Sequence, residues 1–127
     1  MHTAGAALIW SEATGEPTEK VWNDVTDVEH IMDKPPDRIH ASTDKMVRDT
    51  LSTLNVIIVA PTAVDGISAS IEHSTPIMLP DQVARVKKIS SSVTVFNGNN
   101  IQGHVHVHDV AAIYITLLAD ALKVLRT

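Results

Sequence analysis

Three histidines at alternate positions form the most regular group of titratable side chains in the chain. His104, His106 and His108 lie in the segment GHVHVHD. Alternate residues of a β-strand point to the same face, so a strand here would present three imidazoles together. Neutral imidazole is the commonest metal ligand in proteins. The spacing therefore indicates two alternatives: a metal-binding protein that uses this strand, or a strand whose histidines bond to loops and line a substrate site.

Asp109 follows the histidines and precedes the most apolar segment of the chain. An aspartate between a strand and a helix predicts an N-cap that accepts hydrogen bonds from the first amides of the helix. In the predicted helix the polar positions recur every three, four or seven residues and form one narrow stripe: Asp109, Thr116, Asp120, Lys123 and Thr127. We expect a helix this apolar to be mostly buried, against a sheet or a partner.

Composition limits the classes of protein that need consideration. The 127 residues are 44% hydrophobic and 20% charged, with no cysteine and a net charge of −5. Disulfides, cysteine-bound zinc, iron–sulfur clusters and a cysteine nucleophile are excluded. No basic face is available for a phosphate backbone, so we expect no nucleic-acid partner. The most apolar stretch, 110–125, is shorter than a bilayer span, and no signal peptide is evident, so we expect a cytoplasmic protein without a membrane anchor.

The elements that would position these side chains follow from periodicity and from helix-start and helix-stop signals. Thr26 and Glu29, three residues apart, predict a capping box at the start of a helix. Pro35 and Pro36 must end this helix. Ser42 predicts the N-cap of a second helix, 42–53. The apolar positions expected on the buried face of that helix are Met46, Val47, Leu51 and Leu54.

The β-branched run at 56–59 is typical of a strand that is covered on both faces of a parallel sheet. A helix that leads into such a strand is half of an α/β crossover unit. The remaining predictions are strands at 6–10, 93–96 and 103–108, an irregular loop at 61–80, a turn at 97–100, and a helix at 81–90 with Val83, Val86 and Ile89 inward.

Four segments, in order, resemble a known enzyme family. They are HTAG at 2–5, DRIHASTDKMV at 37–47, NVIIVAPTAVDG at 55–66 and VHVHDVAAIY at 105–114. Together they resemble the later part of the extended short-chain dehydrogenase/reductase family, in particular its epimerase/dehydratase-like members. The residues that match its motifs are Thr3 and Gly5, Pro61 and Gly66, and Val105, His106, Val107 and Asp109.

The resemblance implies an α/β fold: a partial Rossmann-like parallel sheet with flanking helices plus a small substrate-side subdomain. It predicts a single domain over 1–127, in which 1–66 is the end of the nucleotide domain. Residues 67–127 would then be the substrate-side region and its packing helix. The family binds NAD or NADP outside the carboxyl ends of its strands and acts on a small-molecule substrate.

The resemblance also assigns site residues. Thr3, Pro61, Thr62 and Val64 match cofactor-binding positions, the last three in the loop that lies against the nicotinamide ring. His106 matches the substrate side. No residue matches a catalytic role or a metal ligand.

The sequence departs from the family in two respects. It has no Gly-rich phosphate-binding turn, because it starts at what would be the fifth strand. Ala4 stands in place of the catalytic serine, and neither Tyr114 nor Lys45 completes the tyrosine–lysine pair; His40 is an alternative acid–base group. We therefore expect a catalytically impaired protein that does not transfer hydride by itself. A further alternative is a non-catalytic interaction module that self-associates through an exposed sheet edge or its apolar helix.

Overall fold

The structure is a computed structural model that describes residues 1–124. Its elements are β1 (His2–Thr3), a 3₁₀ turn (Ala6–Ile9), α1 (Val28–Met32), α2 (Ala41–Arg48), β2 (Ile58–Val59), β3 (Ala63–Asp65), α3 (Met78–Ile89), β4 (His104–His106) and α4 (Val107–Val124). The chain divides into two compact units: Met1–Thr62 with Thr94–Gln102, and Ala63–Val93 with the segment from Gly103 onward. Helices combined with small parallel sheets confirm the α/β class.

Parallel pairing of β1 with β2 organises the first unit. His2 lies opposite Ile58, and Thr3 lies opposite Val59. Hydrogen bonds extend this ladder, since the Ala4 amide donates to the Val59 carbonyl and the Ala6 amide to the Pro61 carbonyl (2.8 and 2.9 Å). Parallel neighbours cannot be joined by a tight hairpin. The connection between these two strands contains α1 and α2.

The prediction of a strand at 6–10 is wrong. The extended segment lies earlier in the chain, at β1. After Gly5 the backbone tightens into the 3₁₀ turn, in which the Leu8 amide donates to the Gly5 carbonyl. Leu8 is only 3% exposed. The apolar run at 6–10, which predicted a strand, therefore contributes one buried side chain, Leu8, to the core.

Both helices of the first unit begin away from the predicted caps. Asp27 precedes α1, and its carboxylate accepts from the Lys20 ammonium and the Asn23 amide rather than from the helix. His40 precedes α2 in a left-handed conformation, with φ of 72°. Neither capping residue makes a side-chain cap hydrogen bond, so the predicted caps at Thr26 and Ser42 are wrong.

The buried face of α2 differs from the prediction. Ala41 and Asp44 are buried, whereas Met46 is 70% exposed. The helix ends at Arg48 rather than Thr53, and the predicted inward residues Leu51 and Leu54 lie exposed beyond its end. The helix therefore presents Ala41 and the carboxylate of Asp44 to the core.

The segment 93–96 forms no strand. The Gly98 amide donates to the Val95 carbonyl, and Gly98 has φ of 72°, so a turn forms at 95–98, two residues before the predicted 97–100. The Asn99 amide donates to the Gly15 carbonyl (2.7 Å), and the Asn97 side chain bonds to the Glu16 carboxylate. Contacts with this distant loop hold the segment in place of the predicted strand pairing.

The second unit contains a strand in a segment that was predicted to be loop. β3 lies within 61–80 and pairs in parallel with β4, with Val64 opposite Val105 and Asp65 opposite His106. Its connection to β4 contains α3, which begins three residues before the predicted start because Pro80 fits the first helical turn. The expected inward residues Val83, Val86 and Ile89 are 39–50% exposed.

The last helix, α4, begins two residues before Asp109, so Asp109 lies in its first turn and is not the N-cap. Its predicted burial is also wrong, because no residue of α4 is fully buried. One half-buried stripe runs along it: Val107, Val110, Tyr114, Leu117 and Ala121. The predicted end at Thr127 lies outside the described residues. Within residues 1–124, no helix has the length and hydropathy needed to cross a membrane.

Candidate functional site

Three of the predicted cofactor-binding residues lie at the carboxyl ends of β1 and β2. Thr3 ends β1, and Pro61 and Thr62 follow β2. Pro61 is half-buried and its carbonyl accepts from the Ala6 amide, whereas Thr3 and Thr62 are exposed. In open α/β sheets ligands bind outside these strand ends. The structure therefore brings these three residues to the edge of the sheet at which a ligand is expected.

His40 approaches this edge from the start of α2. A Cβ atom built on Gly5 would lie 2.7 Å from His40 Nε2, so the imidazole lies directly over this glycine. The His40 carbonyl accepts from the Asp44 amide and from the Thr43 hydroxyl (2.9 and 2.8 Å). Backbone bonds thus hold an exposed imidazole beside the end of β1. A side chain at position 5 would require this imidazole to move.

A part-buried hydrogen-bond contact between His2 and Asp44 connects α2 to the start of β1. His2 Nε2 lies 2.8 Å from Asp44 Oδ1, and Asp44 is 1% exposed. Among the described residues, no hydrogen-bond partner is found for Asp44 Oδ2. Burial of a carboxylate is costly unless a charge or hydrogen bond compensates it. Sequence analysis missed this pair, because nothing in the spacing of 42 residues signals it.

The other predicted residues belong to the second unit. Val64 is half-buried in β3, and His106 ends β4. Asp65 ends β3, and its Oδ2 contacts Nδ1 of His104. This contact orients the half-exposed imidazole of His104. The sequence-based prediction did not include Asp65. The feature that points to this residue is its position between the Pro61 motif and Gly66.

The His106 imidazole makes a hydrogen bond to the backbone rather than facing an open site. Its Nδ1 accepts from the His108 amide (3.2 Å), which is the second amide of α4. This is the bond that an N-cap makes, so His106 replaces Asp109 in that role. A Cβ atom on Gly66 would collide with the His106 ring, and Gly66 has φ of +102°. The turn after β3 is therefore shaped around this imidazole.

The three imidazoles do not share one strand face. His104 contacts Asp65, His106 caps α4, and His108 lies inside α4. The rings of His106 and His108 are perpendicular, with centroids 4.9 Å apart. Over residues 1–124, no group of three or more histidine, aspartate or glutamate side chains is placed to hold a metal ion. The expectation of three imidazoles on one strand face is therefore wrong.

The residues compared with the family's catalytic set are placed as follows. Ala4 is 6% exposed and carries no hydroxyl. Lys45 Nζ lies 3.1 Å from an Asp49 carboxylate oxygen on α2, while Tyr114 is half-buried on α4 in the other unit. No tyrosine stands four residues before Lys45, where Ala41 is found. Lys45 therefore has no tyrosine at the spacing of the family's tyrosine–lysine pair.

One carboxyl group outside this region has a clear electrostatic perturbation. The hydrogen bond from Lys20 lowers the pKa of Asp27 below its ordinary value, and the bond from the Asn23 amide acts in the same direction. Two cations also lie over the ring of Trp22, with Lys34 Nζ 4.1 Å and Lys20 Nζ 4.8 Å from its centre. These contacts order the surface segment before α1.

Comparisons with family models, with curated proteins and with solved structures found no match to this chain.

Proposed function

We propose that the chain is the C-terminal part of a protein of the extended short-chain dehydrogenase/reductase type, descended from an NAD(P)-dependent epimerase, dehydratase or reductase. One observation supports this most: three of the four matching segments contribute strands to two parallel pairs. Residues 2–3 pair with 58–59, and 63–65 pair with 104–106. Each pair is joined by a connection that contains helix, as a doubly wound sheet requires. An α/β domain unrelated to this family would have to form the same two parallel strand pairs by coincidence.

In this proposal the edge beyond β1 and β2 is the remnant of a nicotinamide site. Thr3, Pro61 and Thr62 would contact the ring of NAD or NADP through backbone groups and short side chains. By the resemblance, Val64 matches an apolar cofactor-side position and His106 a position on the side that takes a small-molecule carbonyl or alcohol substrate; both belong to the second unit. The pyrophosphate would depend on a Gly-rich turn, which this sequence lacks.

The proposal also includes loss of catalysis. Hydride transfer in such a site needs a donor that stabilises the developing oxyanion and a group that moves a proton. Ala4 cannot act as that donor, and Lys45 is engaged with Asp49. We therefore propose that the chain does not oxidise or reduce a substrate independently.

Calorimetric titration of the 127-residue chain with NADH and NADPH tests the loss of the cofactor site. We expect no saturable heat at micromolar dinucleotide, because the pyrophosphate contacts are missing. Stoichiometric micromolar binding would contradict the proposal.

Nuclear magnetic resonance with nicotinamide mononucleotide tests the remnant edge itself. We expect millimolar ligand to shift the amides of Thr3 and Thr62, and a Thr62→Ala variant to weaken the response. Thr53→Ala is the matched control, because Thr53 is an equally exposed threonine of the same unit, and its hydroxyl donates to the Thr50 carbonyl. Shifts scattered over the surface, or equal effects of the two variants, would argue against a nicotinamide edge.

A genomic observation tests the family assignment independently. We expect an in-frame strand, Gly-rich turn and helix to be encoded upstream of the Met1 codon. An upstream region with no such coding pattern in any frame would count against descent from a nucleotide-binding enzyme.

A further inference from the structure

An asparagine precedes a glycine in an exposed turn of the first unit, where Asn97 is followed by Gly98. The Asn97 side-chain nitrogen donates to one carboxylate oxygen of Glu16, and the Asn99 side-chain nitrogen lies 3.4 Å from the other. The Asn99 backbone amide also donates to the Gly15 carbonyl (2.7 Å). Two asparagine side chains and a backbone bond therefore hold the loop that contains Glu16 against this turn.

The same turn contains a strained residue. A backbone hydrogen bond from the Gly98 amide to the Val95 carbonyl closes it (2.9 Å). Phe96 lies between these residues and has φ of 46°, a conformation that residues other than glycine rarely adopt. Phe96 is also 78% exposed, so little packing offsets the strain. The Gly98 nitrogen can therefore leave its bond to Val95 at a low cost in free energy.

We propose that Asn97 is a site of spontaneous deamidation, with the Gly98 backbone nitrogen as the nucleophile. That nitrogen attacks the side-chain carbonyl carbon of Asn97, and the new bond closes a succinimide ring. The carbon–nitrogen bond of the side-chain amide breaks, and the proton of the Gly98 amide leaves with the departing nitrogen as ammonia. Water then opens the ring at either carbonyl and leaves an aspartate or an isoaspartate. The reaction consumes water, releases ammonia and requires no oxidant or reductant.

The following residue makes Asn97 the preferred site among the asparagines of this segment. Gly98 has no Cβ, so no side chain obstructs the attacking nitrogen, and its backbone rotates freely. Asn99 is followed by Asn100, and Asn100 by the β-branched Ile101, whose side chains crowd the corresponding nitrogens. All three asparagines are exposed, so access of water does not distinguish them.

Deamidation of Asn97 replaces an attractive contact with a repulsive one. The product carries a carboxylate where the donor nitrogen faced Glu16, and two adjacent carboxylates repel each other. Gly15 lies tightly against the same turn, since a Cβ built on it would lie 2.3 Å from the Val95 carbonyl oxygen. Isoaspartate also lengthens the backbone by a methylene, which disturbs the bond from Asn99 to Gly15. The modification therefore releases the loop that contains Glu16 from the turn.

Mass spectrometry of the full chain after ageing at mildly alkaline pH tests the site. The chain is cleaved under acidic conditions, so that no further reaction occurs during digestion. We expect Asn97 to be converted at least about 10-fold faster than Asn99 or Asn100. Asn97→Gln is the control variant: it keeps an amide that can donate to Glu16 but needs a larger ring, so it should stay unmodified. An unmodified Asn97, or one that reacts no faster than Asn99 and Asn100, would overturn the proposal.

Amide hydrogen exchange tests the structural consequence. Asn97→Asp should speed exchange of the Asn99 amide at least about 10-fold, because the loop that accepts its bond is released. Asn55→Asp is the matched control: it adds the same charge at another exposed asparagine of the same unit and should leave that exchange unchanged. An unchanged Asn99 amide in Asn97→Asp, or equal effects of the two variants, would refute the release of the loop.

Discussion

Gly66 and His106 show how a backbone position and a side chain depend on each other. Gly66 adopts φ of +102°, and a Cβ there would overlap the His106 ring. A side chain at this position is disfavoured by backbone strain and by the collision together. The glycine of the Pro61 motif is thus explained by local geometry, whatever ligand the chain binds.

Gly66→Ala is therefore expected to lower the free energy of unfolding by about 1–3 kcal/mol. Urea denaturation followed by circular dichroism measures the change. Gly103→Ala is the control, because Gly103 does not have the positive φ of Gly66 and should change stability by less than about 0.5 kcal/mol. Equal losses in the two variants would show that φ and the His106 contact are not the cause.

Asp27 is the residue for which a pH dependence can be predicted. Its pKa in the folded chain lies below the ordinary value of 3.8, chiefly because Lys20 donates to it. The unfolded carboxyl thus binds a proton more readily, so the stabilisation is present above about pH 4 and is lost as the pH falls through the folded pKa. Carbon-13 titration of the Asp27 carboxyl should show the low value.

Lys20→Met should return the pKa of Asp27 toward 3.8. Lys45→Met is the control, since Lys45 pairs with Asp49 on a different helix and should leave the Asp27 titration unchanged. An unshifted Asp27 carboxyl in Lys20→Met would show that this hydrogen bond is not the source of the perturbation.

At the level of elements, the start of α4 illustrates the limits of a capping rule. Asp109 has the residue type of an N-cap, but α4 begins at Val107, and His106 supplies the side-chain acceptor. The strand β4 leads directly into the helix at His106, so pairing with β3 decides where the helix begins. An aspartate two residues into a helix still interacts favourably with the helix dipole, although it caps nothing.

His106→Ala is expected to cost about 0.5–2 kcal/mol of stability, because the His108 amide loses its acceptor. His106→Asn should recover part of this loss, since asparagine is a good N-cap. Asp109→Asn should cost less, about 0.3–1 kcal/mol, through the dipole alone. Thermal unfolding of the three variants ranks them; a larger loss in Asp109→Asn than in His106→Ala would restore Asp109 as the cap.

At the scale of the whole molecule, little of a hydrophobic sequence is buried. The buried apolar residues of the described part are small or single anchors: Ala4, Leu8, Ala41 and Ala63. The aliphatic residues of α2, α3 and α4 that periodicity assigned to a core remain largely exposed. Each two-stranded sheet offers a helix only a narrow surface to pack against. The helices therefore carry more apolar surface than the sheets can cover.

The urea dependence of unfolding should reflect this small burial. From its mass the unfolded chain exposes about 20,000 Å², so folding buries about 10,000 Å² instead of about 13,000 Å² for a compact protein. Because the m-value scales with newly exposed area, we expect the chain to have an m-value about a quarter below that of a compact domain of equal length. An m-value equal to that of such a domain would contradict the exposed faces.

Local sequence patterns predict the features that depend on neighbours along the chain. The α/β class, the apolar strand that contains Ile58, the turn at Gly98 and a long final helix were all predicted from local patterns. Proline geometry, β-branching and helical periodicity act over a few residues, so they can be recognised in the sequence before the fold is known.

Tertiary structure alone decided which distant residues meet. The strand β3 forms because β4 pairs with it across about forty residues, and this pairing brings Asp65 to His104. The burial of Asp44 beside His2 depends in the same way on how α2 packs against β1. No local pattern encodes such contacts, because their energy comes from groups that the chain brings together only when it folds.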